Sequence, residues 1–349
     1  DGYVGTLNFD NATLEDVSNG AYPFGPSQAY NLLLIDRVNN QYVPYVFFTV
    51  ADAGNQNIEN IEQTRLIETC GNQSETQFSL GGNYQDRLYM GGSIGIQTIS
   101  FDQEYSFQED YTYNRPAVFT DTFTVTRFAE GSNLSTRGRG VNIKFGLIYR
   151  LTENLRAGLS VHSPTFLSFD DTYSYGASSS RATGVDFHAD SISSDFGYRL
   201  RTPARVNASL AYLFMSRSLV SIDYEYLDYA DASFNDRTSY PNDFSGTNLN
   251  INDELSSAHH IRIGAEYKFN PFVIRAGYNY ETNPYQENLN NNNERSTYSI
   301  GGGFRNKNFN FDAALIYRES QLRNYLYNSA DVPATTNESV TNLVFTVGW

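Results

Sequence analysis

The chain has 349 residues, a formal net charge of −15, a sequence pI near 4.6 and a mean hydropathy of −0.47. Its longest apolar run, Val43–Val50, falls well short of the roughly 18–20 residues that a membrane helix needs, which excludes a helical membrane protein. No basic stripe interleaved with aromatics is present, which argues against nucleic acid as a partner, and the acidity reads as hydration of loops.

Asp1 to about Asn72 does not read as a regular sheet. Asn11–Asp16 has the form of a helix N-cap followed by acidic residues, and Gly20–Pro26 is a turn cluster. Tyr42–Val50 is compatible with a short strand. In Ile58–Ile67 the apolar residues fall three to five apart, and the expectation is a short amphipathic helix. Residues 1–72 are thus expected to be a long extracellular loop region with short helices, and 73–349 the wall and loops of a transmembrane antiparallel β-barrel.

From Ser74 the apolar period is two. Phe78, Leu80 and Tyr84 share one face, and after the turn Gln85-Asp86 come Leu88, Met90, Ile94 and Ile96. Val141, Ile143, Phe145, Leu147, Tyr149 and Leu151 make the clearest strand, followed past Thr152-Glu153 by Leu155, Ala157, Leu159 and Val161. The same alternation recurs in 205–214, 220–226, 261–269, 272–281 and 309–318. Tight turns at Gln85-Asp86, Thr152-Glu153, Ser216-Arg217, Asn270-Pro271 and Asn306–Asn308 separate long polar loops at 102–136, 171–196, 232–256, 284–295 and 321–338. Short turns at one end and long loops at the other describe an outer-membrane barrel, and the Tyr and Phe residues gathered at strand ends fit its aromatic girdles. The last strand, with Leu343, Phe345, Val347 and Trp349 on one face, fits a barrel-closing strand.

About eleven wall strands are counted, whereas such barrels usually have an even number. Tracing up and down from the last strand places Asp1–Asn72 outside the cell, and the expectation is that further wall strands precede Asp1. The alternative is that Tyr42–Val50 supplies a twelfth strand and the rest of the N-terminal region a plug.

Val141–Thr165 (VNIKFGLIYRLTENLRAGLSVHSPT) and Thr202–Asp228 (TPARVNASLAYLFMSRSLVSIDYEYLD) resemble two mid-barrel hairpins of the FadL/OmpP1/TodX family of outer-membrane transporters of hydrophobic compounds. His260–Tyr280 fits as well, and the loop-rich start resembles members from the Bacteroidetes. The resemblance implies a fourteen-stranded barrel plugged by an N-terminal hatch, with about eleven strands visible here and the first strands missing. It further implies passive uptake of fatty-acid-like molecules, captured by extracellular loops, passed into the lumen and released sideways through the wall. The hatch and its Asn-Pro-Ala-type segment are not seen in this sequence.

The inward faces carry both signs of charge in similar number, as the cost of about 2–4 kcal/mol for a basic residue at the lipid midplane would require of any barrel. Beyond that filling role, Arg156, Arg205 and Arg275 are the candidates to bind a substrate carboxylate through bidentate hydrogen bonds. Phe119, Phe123, Phe128, Phe166 and Phe169 are the candidates for an apolar loop pocket. His162 and Ser163 adjoin, but neighbours on a strand point to opposite faces, so no catalytic pair and no enzyme is expected. Pro164 marks a kink or bulge. Cys70 has no cysteine partner, no metal spacing is present, and Asp170-Asp171 and Asp228/Asp231 read as hydrated surface, so neither metal nor cofactor is expected. The expected partners are outer-membrane lipid, a hydrophobic small molecule and the barrel-assembly machinery, the last reading Leu343, Phe345, Val347 and Trp349. A second reading makes the chain a non-transporting scaffold of a larger outer-membrane complex, docked through Asp1–Asn72.

Overall fold

The computed structural model describes residues 31–32, 34–38, 41–44, 58–113, 125–189, 191–214, 218–237, 244–286, 293–306, 309–324 and 334–348. A small hairpin of β1 (Ile35–Val38) and β2 (Gln41–Pro44) stands apart from the main sheet. The sheet begins with three long strands, β3 (Ile58–Tyr84), β4 (Leu88–Tyr113) and β5 (Val125–Arg150). It continues through β6 (Leu155–His162), β7 (Phe166–Arg181), β8 (Asp186–His188), β9 (Ile192–Arg201), β10 (Arg205–Phe214), β11 (Ser218–Asp228) and β12 (Ser233–Asp236). After helix α1 (Ser245–Glu254) come β13 (Ser257–Phe269), β14 (Phe272–Glu281), β15 (Arg295–Arg305), β16 (Asn310–Asn324) and β17 (Ala334–Gly348). All pairings are antiparallel, and the wall runs β3-β4-β5-β6-β10-β11-β13-β14-β15-β16-β17, eleven positions across. Among the described residues no helix is long and apolar enough to cross a membrane. The fold is a transmembrane antiparallel β-barrel wall.

The strands form because their apolar residues alternate, and that alternation puts the apolar set on the outside. Val141, Ile143 and Phe145 on β5, Ile222 on β11, Ile263 on β13, Ile300 on β15 and Phe345 on β17 are all exposed. A soluble protein rarely shows so broad a contiguous apolar surface. In a bilayer it is the lipid-facing band, and the opposite face, with Asn142, Asn207, Asp223 and Arg262, is the lumen side. Aromatic pairs border the band, among them Tyr267–Phe269 at 6.1 Å, Phe272–Phe304 at 5.6 Å and Tyr278–Tyr298 at 5.2 Å between ring centroids. At the three-residue β3–β4 connection Gln85 and Asp86 both take positive φ (52° and 53°), a mirror-image turn whose twist matches that of the strands, closed by Arg87 N–H on the Tyr84 carbonyl at 3.1 Å. Asn83 donates to the Asp86 carboxylate beside it.

Above Ile96 and its register partner Val141 the phase of the pattern inverts. The outer face turns polar, with Thr98, Ser100, Asp102 and Glu104 on β4 opposite Arg139, Arg137, Ser135 and Asn133 on β5. Arg137 holds Asp102 at 2.9 and 3.0 Å, and Arg127 holds Asp110 at 2.7 Å. The inner face of the same strands turns aromatic, with Tyr105, Phe107, Phe128, Tyr173 and Tyr175. At about 3.3 Å per residue, the part of β4 beyond Ile96 carries the sheet roughly 50 Å out of the membrane.

Several expectations are corrected here. Ile58–Ile67 is the first part of β3, paired with 104–113 of β4, and is not helical; long-range pairing outweighs a weak helical spacing. Much of 102–136 and 171–196, read as loops, is strand continuing beyond the lipid. Of the Tyr42–Val50 segment, the described part, up to Pro44, pairs with β1 in a sheet separate from the wall, while 45–50 lie outside the described residues. The helix cap at Asn11–Asp16, the turn at Gly20–Pro26, the turn Ser216-Arg217 and Trp349 lie outside the described residues.

Three neighbouring strands break at one level. β6 and β7 are one rising strand interrupted at Ser163–Thr165, where two residues of β5, Asn142 and Ile143, face three. Pro164, which cannot donate to a ladder, sits in this bulge. β9 and β10 are interrupted at Thr202–Ala204, and β11 and β12 at Tyr229–Ala232 by a 3-10 turn. Side-chain oxygens repair the ladder: Thr165 N–H donates to Thr202 Oγ1 at 2.9 Å, Ile143 N–H to Ser163 Oγ at 2.9 Å and Ala230 N–H to Asp228 Oδ1 at 3.1 Å.

Candidate functional site

The lumen face offers three zones, stacked from the mouth inward. The outermost is a closed core. Phe107, Val125, Phe128, Tyr175 and Ala177 pack around Leu32 and Leu34, both essentially inaccessible to solvent. The Leu32 carbonyl accepts from Ser179 Oγ at 3.0 Å and from Arg181 Nη2 at 2.5 Å, so a short segment of the N-terminal region is held against the inner wall. Two carboxylates lie in this zone. Glu109 accepts from Gln63 at 2.7 Å and from Tyr111, while Glu130 accepts from Tyr175 at 2.7 Å and Tyr105 at 3.2 Å. Burial raises the Glu130 carboxyl above the usual range; donation from Tyr175 and Tyr105 offsets part of this, and Glu109 adds to it. Burial and then Glu130 push the Tyr105 hydroxyl up to about 12.

Below it is an aromatic cluster. Phe169 on β7 stacks on Tyr198 of β9 at 5.3 Å, Tyr198 meets Phe196 and Phe234, each at 5.6 Å, and Phe234 stacks on Phe244 at 5.8 Å. The register places Phe169 opposite Tyr198, so the stack follows from strand pairing. Phe244 is brought in by the start of α1, a polar helix anchored through Asn248. That side chain accepts from Phe234 N–H at 2.8 Å and donates to Phe234 C=O at 3.0 Å.

Within the membrane, below the strand breaks, the lumen face borders a cavity of about 840 Å³ of mixed lining, with Met90, Leu147 and Leu159 as well as His162, Asp223 and Glu225. Charges are arranged in two tiers. The lower holds Arg275 between Glu266 at 2.7 Å and Asp312 at 2.6 Å, with Lys268 on Glu266 at 3.0 Å. The upper holds Lys144 on Glu75 at 2.6 Å and Glu225 against His260 at 2.9 Å and Arg262 at 3.4 Å. Gly95 on the intervening strand β4 lets the first of these pairs close, because a Cβ there would collide with the Glu75 carboxylate.

The residues singled out from the sequence are dispersed. Phe169 is in the aromatic cluster and Phe128 in the closed core, whereas Phe166, 58% exposed, belongs to the outward face of β7 and lies outside any lumen pocket. Phe119 and Phe123 fall outside the described residues. Arg275 is occupied by its two carboxylates, Arg156 faces Arg150 across the β5–β6 hairpin, and Arg205 lies opposite His162. Phe196, Tyr198, Phe234 and Phe244 were not foreseen. Phe196 and Tyr198 alternate across Gly197, which was a legible strand signal, but polar neighbours made their segments read as loop.

The fold and its lumen define an outer-membrane β-barrel. Residues 85–343 match the family described as outer membrane protein transport protein (OMPP1/FadL/TodX), and the chain belongs to that family. Similar solved structures include the Pseudomonas putida toluene transporter TodX, 13% identical over 82% of this chain and 88% of that one, with a TM-score of 0.40. A Pseudomonas aeruginosa FadL homologue is 13% identical over 81% and 67%, with a TM-score of 0.49. The Ralstonia pickettii toluene transporter TbuX is 14% identical over 82% and 77%, with a TM-score of 0.39. Among curated proteins none matches the chain.

Proposed function

We propose that the protein carries hydrophobic or amphipathic small molecules, fatty-acid-like in form, passively across the outer membrane. Capture occurs on the aromatic cluster of Phe169, Phe196, Tyr198, Phe234 and Phe244, and passage follows the lumen beneath it. The observation that carries this reading is the placement of that aromatic cluster above the lumen of a family whose description is transport. Aromatic rings give an apolar molecule a large contact area, and no energy source is needed for movement down a gradient. In the same reading the apolar band contacts outer-membrane lipid, and Leu343, Phe345 and Val347 serve the barrel-assembly machinery as its recognition strand.

The test is uptake of a labelled fatty acid into liposomes containing the full chain. Uptake should exceed that of protein-free liposomes, and Tyr198→Ala with Phe234→Ala should lower it roughly tenfold at limiting substrate, since each lost aromatic contact removes about 0.5–1.5 kcal/mol. Uptake equal to that of empty liposomes overturns the reading.

A further inference from the structure

We propose that Arg139, Arg199 and Arg201, on the outer face at the edge of the apolar band, bind the phosphate of an anionic outer-leaflet lipid. The proposal is independent of the transport reading. Its origin is visible in the sequence as Arg137-Gly138-Arg139 on β5 and Arg199-Leu200-Arg201 on β9. Residues two apart on a strand share a face, so each pair points one way. That face is the outer one: Gly138 and Tyr198 meet the Phe169 ring on the inside, and all four arginines are exposed. The long strand extensions at this end mark the extracellular side, hence the outer leaflet.

Strand β7 lies between β5 and β9 and brings the two pairs together. One row of the register reads Arg139, Ser168, Arg199, and the row below it Val141, Phe166, Arg201. At about 4.8 Å between strands, the backbones of Arg139 and Arg199 stand roughly 10 Å apart, so two long side chains can reach one phosphate. The nearby carboxylates are engaged elsewhere. Asp170 is held by Arg237, whose guanidinium also donates to Ser168 Oγ at 2.8 Å, and Asp102 is held by Arg137. Asp195 accepts from Thr172 at 2.7 Å, and Arg201 donates to the Asp231 carbonyl at 2.9 Å rather than to its carboxylate. Among the described residues Arg139, Arg199 and Arg201 have no carboxylate within salt-bridge distance. In a chain of net charge −15 this surplus of arginine is local.

What borders the arginines selects the ligand. Val141 and Phe166, 51% and 58% exposed, form the last apolar row before the wall leaves lipid. Arg201 is level with that row, and Arg139 stands two residues above Val141, a rise of about 7 Å, which is headgroup depth. A guanidinium binds phosphate through paired N–H donors. A phosphorylated lipid gains both contacts at once, its head on the arginines and its chains on Val141, Phe166 and Ile143. A free anion would gain only the first, and an acidic protein would have to displace lipid from the second.

The experiment uses native mass spectrometry of the purified full chain in non-ionic detergent. The probes are a phosphorylated acyl-glucosamine glycolipid and its dephosphorylated form. The phosphorylated lipid should bind at least tenfold more tightly. Arg139→Gln with Arg199→Gln should remove most of that preference and leave the dephosphorylated lipid within about twofold, with heat-modifiable gel migration reporting the folded barrel. Arg127→Gln, on the same face but higher and paired with Asp110, should leave both probes unchanged. Unchanged binding in the folded double variant, no preference for the phosphorylated lipid, or an equal loss in Arg127→Gln overturns the proposal. Displacement of the lipid by an equal concentration of inorganic phosphate or of polyglutamate would assign the patch to a soluble anion or an acidic protein, and overturns it as well.

Discussion

Phe128 and Phe166 show how little a residue type says without its phase. Phe128 is 1% exposed within the closed core of the mouth, whereas Phe166 is 58% exposed on the outer face. Phe128→Ala should cost about 3–5 kcal/mol, because the surrounding rings cannot collapse fully into the space. Hydrogen exchange should show the loss as weaker protection of 105–113 and 173–179, while Phe166→Ala leaves those amides unchanged. Equal effects would mean that Phe128 is not an anchor. The arginines were equally opaque in the sequence: Arg275 and Arg205 both alternate inward, but only pairing across strands reveals that Glu266 and Asp312 occupy the first while His162 faces the second.

At the scale of the element, β3, β4 and β5 explain most of what could and could not be read. The halves within the membrane were legible, because an apolar face alternating with a small or polar one has a single interpretation from Val141 to Leu151. The outer halves were not, since their polar residues face water and their aromatics face inward, which dilutes apolar content to that of a loop. The pairing of Glu130 with buried tyrosines gives these halves a pH dependence. A carboxyl whose folded pKa is raised binds more protons folded than unfolded. Its stabilising contribution is therefore complete below the unfolded value and is lost as pH rises through the folded one. Protection of the amides around Leu32, Leu34 and Tyr175 should be higher in mild acid than at neutral pH, with Glu109, Tyr105, Arg65 and Arg181 as the surrounding polar groups. Glu130→Gln should flatten that profile near its acidic value; a profile unchanged in the variant would assign the titration to another group.

For the whole molecule, the inversion at Ile96 and Val141 sets the height at which the wall leaves lipid. An arginine at the lipid midplane costs about 2–4 kcal/mol, so Phe145→Arg, on the outward face about midway between that boundary and the hairpin end of β5, should slow or reduce folding into liposomes by a corresponding amount. Asn133→Arg, on the same outer face but above the boundary, should be nearly neutral. Equal penalties, read from urea titrations in the same lipid, would displace the boundary assigned here. The order of the wall was legible from alternation and tight turns. The shared break at Ser163–Thr165, Thr202–Ala204 and Tyr229–Ala232 was visible only at Pro164, because register between distant segments decides the rest.

One consequence concerns the company the molecule keeps at the cell surface. The short strand β12 pairs on one side with β9, and across its other side Asn248 answers both the N–H and the C=O of Phe234. A carboxamide carries the same donor and acceptor as a peptide group, so a single side chain impersonates the strand that would otherwise dock there. An unpaired strand edge is a template for sheet-to-sheet adhesion, and at Phe234 this decoy removes the donor and acceptor that such adhesion would use.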